Sequence, residues 1–331
     1  MKRVGIAFAL LIGLLAGHPV QTQAQAQDKF PSKPIRILLP YGAGSATDII
    51  TRIMCEQLRQ IIGQSCVVEN KPGAFGILAI EEMARARPDG YTLQVGNVST
   101  NAITPVLFKD KFNIDYEKDV VAIARLADLP TFMMQTAKIP PKTLAEFVAY
   151  AKERPGKLKY ASPGAGSFPH YDMEIFSQRA GIKMEVIHIK AGPPGYINDM
   201  TLGDIHVSFM NVATSAPQMK AGTLRPLVST TEKRLPDYPD VPTMAEAGYP
   251  GVGTTLWAGL FAPAGTPQPV QEILQKAVVQ ALKSPQVLEA YAKQNVRAQP
   301  TASLDEAKTW LRGEIASWQK ITKEIKIDLT D

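Results

Sequence analysis

The sequence is poor in the residues that disulfide frameworks and metal sites require. Its 331 residues include two cysteines, Cys55 and Cys66, and four histidines. His170, His188 and His206 are too far apart in sequence to form a recognisable metal motif, and neither cysteine has a further ligand at a suitable spacing. We therefore expect no metal ion. In an oxidising compartment the two cysteines can form one disulfide, and two free thiols are the alternative.

The signatures of nucleic-acid and nucleotide binding are also missing. The formal net charge is a modest +5, and the chain has no long basic run and no zinc-finger, homeodomain or RRM-like pattern. The loop Gly42-Ala43-Gly44-Ser45 lacks the Gly-Lys-Ser/Thr ending of a Walker A motif and the third glycine of a dinucleotide fingerprint. We expect neither a nucleic-acid partner nor a cofactor.

Long apolar runs are absent beyond the N-terminus. There, Met1-Lys2-Arg3 is followed by an apolar run over Val4 to Ala16 and by Ala24-Gln25-Ala26. This order is typical of a secretory signal peptide with an A-x-A cleavage site, and the apolar run is short for a membrane span. We predict a cleaved signal peptide over residues 1–26 and a periplasmic protein. An uncleaved anchor is the alternative.

The tetrapeptide Gly-Ala-Gly-Ser occurs twice, at 42–45 and at 164–167. Each copy stands between a strand-like run and a helix-like run. The first N–H groups of a helix have no partner inside the helix, and the helix dipole is positive at that end, so each copy can bind an anion. Two copies suggest two facing lobes. A tight turn that needs glycine for its positive φ is the alternative for either loop alone.

Strand-like and helix-like runs alternate through both halves of the chain, which predicts an α/β fold with mostly parallel sheets. The segment after residue 229 is rich in proline and glycine, and we interpret it as a return crossing to the first lobe. Amphipathic helices follow to the C-terminus. We predict residues 27–127 plus 248–331 as lobe 1 and 128–247 as lobe 2.

Several side chains near the loops could contact a ligand. Asp48 follows Ser45 at the spacing of a capping box, so capping is its favoured role, and accepting a hydrogen bond from the ligand is the alternative. Lys190 follows a predicted strand and could neutralise a carboxylate, or be solvated. Tyr41 and Phe75 could form an apolar wall, or pack in the core.

Catalysis is disfavoured by the same residues. Ser45 or Ser167 could be paired with His170 as nucleophile and base, but the chain has no Gly-x-Ser-x-Gly elbow, and no acidic residue is placed to orient the histidine.

Many blocks of the chain, in one order, resemble the Bug-type periplasmic solute-binding receptors of tripartite tricarboxylate transporters. These blocks are residues 30–36, 40–52, 68–74, 88–93, 160–170, 220–225, 240–243 and 262–267. The resemblance implies a two-lobed periplasmic-binding-protein clamshell that closes on a small carboxylate and delivers it to a membrane permease.

The resemblance also implies which residues bind the ligand, because the two glycine loops of such receptors hold one carboxylate largely through backbone groups and ordered water. The predicted ligand-binding residues are Tyr41, Gly42, Ala43, Gly44, Ser45, Ala46, Thr47, Asp48, Phe75, Ser162, Gly164, Ala165, Gly166, Ser167, His170 and Lys190. Three places depart from the usual pattern: Gly42-Ala43 replaces a Pro-Pro pair, Phe75 replaces a glycine, and residues 187–191 replace a typical Val-Pro-Tyr-Lys-Gly.

The sequence therefore predicts a receptor, expected to act as a monomer without chemistry of its own, for a di-, tri- or aromatic carboxylate. A secreted hydrolase and a ligand sensor for a signalling partner are the alternatives.

Overall fold

The computed structural model describes residues 30–189, 192–327 and 329. The predicted signal peptide and Lys190 lie outside the described residues. Within these ranges no helix is both long and apolar enough to cross a membrane.

The described strands form two sheets with helices packed around them. The strands are β1 Ile35–Leu39, β2 Cys66–Asn70, β3 Thr92–Asn97, β4 Val120–Leu129, β5 Thr131–Thr136, β6 Lys159–Ser162, β7 Glu185–His188, β8 Val207–Asn211, β9 Leu224–Ser229, β10 Leu256–Pro263 and β11 Arg297–Ala298. The helices are α1 Ala46–Ile62, α2 Ile77–Ala84, α3 Thr104–Leu107, α4 Tyr116–Asp119, α5 Leu144–Lys152, α6 Phe168–Ala180, α7 Pro193–Leu202, α8 Val212–Lys220, α9 Gln268–Leu282, α10 Pro285–Ala292 and α11 Leu304–Glu324.

Both sheets are mixed, so the prediction of mostly parallel sheets is wrong. The first sheet has the order β11-β4-β10-β3-β1-β2, in which β1 is parallel to both neighbours, but β10 is antiparallel to β3 and to β4. The second has the order β7-β6-β8-β5-β9, in which β5 is antiparallel to β8 and to β9. The antiparallel strands enter each sheet through connections that are not βαβ units, and the local alternation of strands and helices does not reveal them.

The chain passes between the two sheets at two places. Pro130 alone separates β4 of the first sheet from β5 of the second, and the segment from β9 to β10 returns the chain. The C-terminal helices then pack on the first sheet and its helices, where the Tyr291 hydroxyl of α10 donates to the Ile50 carbonyl oxygen of α1 at 3.0 Å. The first sheet is therefore built from two separate stretches of chain.

Helices α1 and α6 both begin directly after a Gly-Ala-Gly-Ser loop. Ser45 is the N-cap of α1 and accepts a hydrogen bond from the Asp48 N–H at 3.3 Å, as the capping pattern predicts. Ser167 is the N-cap of α6. Each helix ends at a glycine in the left-handed conformation, Gly63 for α1 and Gly181 for α6. The two loops thus stand at equivalent places in the two halves of the fold.

The two cysteines lie side by side, Cys55 in α1 and Cys66 in β2. Both are free thiols in the structure. The hydrogen bond to Cys66, together with burial, raises the pKa of the Cys55 thiol. The disulfide between them stays a prediction.

A buried carboxylate joins α6 to the returning segment. Asp172 is 2% exposed, and it accepts hydrogen bonds from the backbone N–H of Thr254 at 2.8 Å and from the Thr254 hydroxyl at 2.6 Å. Burial raises the pKa of Asp172 from 3.8 to about 7, although both hydrogen bonds act in the opposite direction.

This shift predicts a dependence of stability on pH. Because the folded-state pKa lies above the unfolded value, the folded protein binds this proton more tightly, and the contribution of Asp172 is lost as pH rises through the folded pKa. Asp172→Asn retains both hydrogen bonds without the charge. We expect the free energy of unfolding of the variant, minus that of the wild type, to grow by about 2 kcal/mol between pH near 5 and pH near 8. Urea unfolding at several pH values measures this difference, and a constant difference would contradict the prediction.

Candidate functional site

A cavity of about 320 Å³ lies where the loops of the two sheets meet. This volume is at the small end of the roughly 300–1,000 Å³ typical of small-molecule sites. Its wall consists of Pro40, Tyr41, Gly42, Ser45, Ala46, Thr47, Pro72, Gly73, Ala74, Phe75, Gly76, Asn97, Ser99, Thr100, Thr104, Pro163, Gly164, Ala165, Gly166, Ser167, Phe168, Pro169, Gly192, Pro193, Pro194, Tyr196, Phe209, Met210, Asn211, Thr214 and Leu256.

Five helices begin at this cavity. The N-cap residues of α1, α2, α6, α7 and α8 all belong to its wall. Each helix directs the positive end of its dipole towards the same space. None of the described wall residues is acidic or basic. The electrostatic character of the described wall therefore comes from backbone dipoles and favours an anion.

The first glycine loop offers unpaired backbone donors. The N–H groups of Ala46 and Thr47 have no hydrogen-bond acceptor among the described residues, whereas the next N–H, that of Asp48, is bound to Ser45. Both residues are buried and both belong to the cavity wall. A bound carboxylate would satisfy these two donors.

Asp48 points away from the cavity, although it is in the first turn of the same helix. Its carboxylate accepts hydrogen bonds from the Gly44 N–H, from Arg52 Nε and from Asn70 Nδ2, each at 3.0 Å. Burial opposes the charge of Asp48, but the bonds from Arg52, Gly44 and Asn70 together outweigh burial and lower its pKa. The carboxylate thus remains ionised, is paired with Arg52 and holds the loop in shape.

A buried polar network supports the loop from behind. The Tyr41 hydroxyl is 2.6 Å from Thr100 Oγ1 and accepts the Asn97 N–H at 3.1 Å. Asn97 Nδ2 also donates to Thr47 Oγ1 at 3.4 Å. These contacts fix Tyr41 and Thr47 relative to the end of β3.

The second glycine loop is held by serine and histidine side chains. Ser162 Oγ lies 2.7 Å from His188 Nδ1 and accepts the Gly164 N–H at 3.2 Å, while Ser167 Oγ donates to the Gly164 carbonyl oxygen at 2.7 Å. The Gly166 N–H donates to His170 Nδ1 at 3.3 Å. Ser162 and His170 therefore shape the loop from behind the cavity wall.

The second loop supplies one further donor, and its helix contacts the opposite half of the fold. The Ala165 N–H has no acceptor among the described residues. The Phe168 N–H, at the start of α6, donates to Ser99 Oγ at 3.2 Å. Ser99 follows β3 of the first sheet, so this bond joins the two halves at the edge of the cavity.

The structure brings ten of the predicted ligand residues to one wall: Tyr41, Gly42, Ser45, Ala46, Thr47, Phe75, Gly164, Ala165, Gly166 and Ser167. Ala43, Gly44, Asp48, Ser162 and His170 are not part of that wall. Lys190 is outside the described residues.

Sequence reasoning missed the polar residues that follow β3 and β8. Asn97, Ser99 and Thr100 reach the cavity after β3, and Asn211 and Thr214 reach it after β8. The available signal was their position, because α/β folds bind ligands beyond the carboxyl ends of their strands. β8 itself was not predicted.

The described residues contain no group of three or more His, Cys, Asp or Glu side chains that could hold a metal ion. The donors that reach the cavity are backbone N–H groups, hydroxyls and side-chain amides. This set can bind a carboxylate and its substituents by hydrogen bonds.

A family model described as TctC, tripartite tricarboxylate transporter family receptor, matches residues 50–327. A relative from Cupriavidus necator, the UPF0065 protein in gbd 5'region, is 37% identical over 296 residues, which cover 88% of this chain and 87% of the relative.

Three solved structures are similar over their whole length. The periplasmic binding protein BugD is 27% identical with a TM-score of 0.81, over 89% of this chain and 98% of BugD. R. palustris Rpa4515 with adipate is 29% identical with a TM-score of 0.84, over 89% of this chain and 97% of that one. MatC from Rhodopseudomonas palustris with bound malate is 28% identical with a TM-score of 0.81, over 88% of this chain and 99% of MatC.

Proposed function

This chain belongs to the TctC family of tripartite tricarboxylate transporter receptors, and we propose that it captures a small carboxylate in the periplasm and delivers it to a membrane permease. The lobes proposed to close on the ligand are residues 27–127 plus 248–331 and residues 128–247. One observation carries the proposal: five helix N-termini and the unpaired N–H groups of Ala46, Thr47 and Ala165 meet at one cavity.

The family and the periplasmic-binding-protein fold predicted from the sequence are confirmed by the family match and by the likeness to BugD. A carboxylate ligand is supported by two relatives of the same fold, one solved with adipate and one with malate. Charge-assisted hydrogen bonds contribute roughly 1.5–3 kcal/mol each. Three of them, with burial of apolar surface, can account for the roughly −8 kcal/mol of micromolar binding.

The hydrolase alternative receives little support from the two loops. Ser45 Oγ accepts the Asp48 N–H as a helix cap, and Ser167 Oγ donates to the Gly164 carbonyl oxygen. Both hydroxyls therefore serve loop structure. A receptor needs no nucleophile, and its ligand dissociates unchanged.

A thermal-shift screen tests the proposal. The purified protein is heated with mono-, di- and tricarboxylates, and each acid is matched by its neutral amide. We expect the melting temperature to rise with the concentration of a carboxylate, because the ligand binds only the folded state. An equal shift with the neutral amides, or a shift with neutral sugars alone, would contradict anion binding.

Delivery to a permease is distinguished from sensing by uptake. A strain of the source bacterium without this gene should lose uptake of the carboxylate identified by the screen. Normal uptake, with loss of a transcriptional response to that carboxylate, would favour the sensor.

A further inference from the structure

The segment 73–76 holds an aromatic residue in a backbone conformation that favours glycine. Gly73, Ala74, Phe75 and Gly76 have φ values of 121°, 45°, 56° and 87°. A positive φ is uncommon for any residue with a side chain and is unfavourable for a bulky one. Among the described residues only Ala74, Phe75 and Asn295 show it without being glycine. Strained residues of this kind persist mainly at binding sites, where the surrounding structure holds them.

The turn places the Phe75 ring at the cavity and fixes its plane. Phe75 belongs to the cavity wall, and its ring stacks on that of Phe108 with 4.2 Å between centroids and 18° between planes. Phe108 is not part of the wall, so it supports one face of Phe75 from behind. The Phe75 carbonyl oxygen accepts the Thr104 hydroxyl at 3.0 Å, which ties the turn to α3. A flat, immobilised ring therefore forms one side of the cavity.

Phe75 also lies where the two halves of the fold meet. A Cβ atom on Gly164 of the second glycine loop would be 3.7 Å from Phe75 Cε1, which is ordinary van der Waals contact. The aromatic wall is thus directly beside the second glycine loop. A carboxylate held at the glycine loops would have its carbon skeleton next to this ring.

The other side chains that could meet that skeleton are apolar and rigid. Phe168, Phe209, Met210 and Leu256 belong to the wall, together with the prolines at 163, 193 and 194. Aromatic pairs gain attraction beyond simple burial, and a ring loses fewer torsional states on binding than a chain of similar size. The geometry points to an aromatic carboxylate, with Phe75 as the residue that selects the ring over an aliphatic chain. This inference rests on the proposed function and specifies its ligand.

Calorimetric titration of matched acids tests the selection. Benzoate is compared with heptanoate, and terephthalate with suberate, so that each pair has the same number of carbons and carboxylates. We expect the wild type to bind the aromatic acid about tenfold more tightly in at least one pair. In Phe75→Leu, which keeps an apolar side chain without the ring, that preference should disappear. Affinity for the aliphatic acid should stay within about twofold of the wild type.

Phe75→Gly separates loss of the ring from loss of the fold. Glycine is the residue best suited to the positive φ at this position, so the variant should melt no lower than the wild type. It should also lose the aromatic preference. Asn295→Gly, which relieves a positive φ far from the cavity, is the control and should bind all four acids like the wild type.

Two results would overturn the inference. In one, the wild type binds the aliphatic acid at least as tightly in both pairs. In the other, Phe75→Leu weakens aromatic and aliphatic acids equally, which would make Phe75 a general wall residue. If neither these acids nor any carboxylate of the thermal-shift screen binds, the proposed function itself fails.

Discussion

Replacing Ala46 by proline is expected to weaken carboxylate binding about tenfold to a hundredfold without lowering the melting temperature. Ala46 is the first residue of α1, and its N–H has no acceptor among the described residues. Proline is well tolerated at the first helical position, because that N–H is not part of the helix. The preceding residue, Ser45, already has the extended conformation that proline requires, with ψ at 156°. The substitution therefore removes one donor from the cavity and spares the helix.

Two controls isolate the lost donor. Ala46→Val adds bulk at the same position but keeps the N–H, so it reports the steric part of the effect. Gln268→Pro places proline at the first residue of α9, which is away from the cavity, and should leave binding unchanged. Titration of each variant with the carboxylate that binds best in the screen gives the affinities. If Ala46→Pro binds as tightly as the wild type, the N–H of Ala46 is not a ligand donor.

Local sequence signals predicted the two helices that begin at the cavity. Ser45 and Ser167 each follow glycines and precede a regular apolar pattern, and α1 and α6 begin at the residues after them. Capping involves residues three apart, so a short window of sequence contains all of its information. The pairing of two such loops at one cavity followed from their repetition and from the resemblance to known receptors.

Long-range pairing could not be predicted in the same way. The run Trp257 to Phe261 was interpreted as part of a return crossing, whereas it is the centre of β10, which lies between β3 and β4. Gln94 and Ala122, the residues that pair with Phe261, are more than a hundred positions away in the sequence. An apolar run indicates burial but does not identify its partners.

The second half of the site was missed for a related reason. β8 is short, and α8, which follows it directly, contains Pro217, which weakens the helical signal. Asn211 lies at their junction and reaches the cavity. Because neither element was predicted, the polar residues at their junction had no assigned position. The cavity wall is therefore better predicted near the glycine loops than around Asn211.

Closure of the two halves can be tested at Gly166, where the second glycine loop meets the first half. A Cβ atom at Gly166 would lie 2.8 Å from Leu107 Cδ1 and 3.3 Å from the Phe108 ring. Gly44 is the equivalent residue of the first loop and has nearly the same φ, 79° against 77°, yet a Cβ there would meet nothing within 4 Å. The two glycines thus differ in contact across the halves and not in backbone conformation.

Gly166→Ala is therefore expected to weaken carboxylate binding by about tenfold to a hundredfold, since overpacking costs typically 1–3 kcal/mol and acts in the closed state. Gly44→Ala pays only the cost of a side chain at positive φ, so its loss of affinity should be smaller. Gly156→Ala, at a φ of 71° with nothing within 4 Å and outside the cavity wall, reports the effect of that backbone cost on stability alone. Titration and small-angle scattering with and without ligand measure affinity and closure in the three variants. Equal affinities for Gly166→Ala and Gly44→Ala would mean that the contact with Leu107 and Phe108 does not contribute to the ligand-bound state, and the ligand would then be held without closure at this edge.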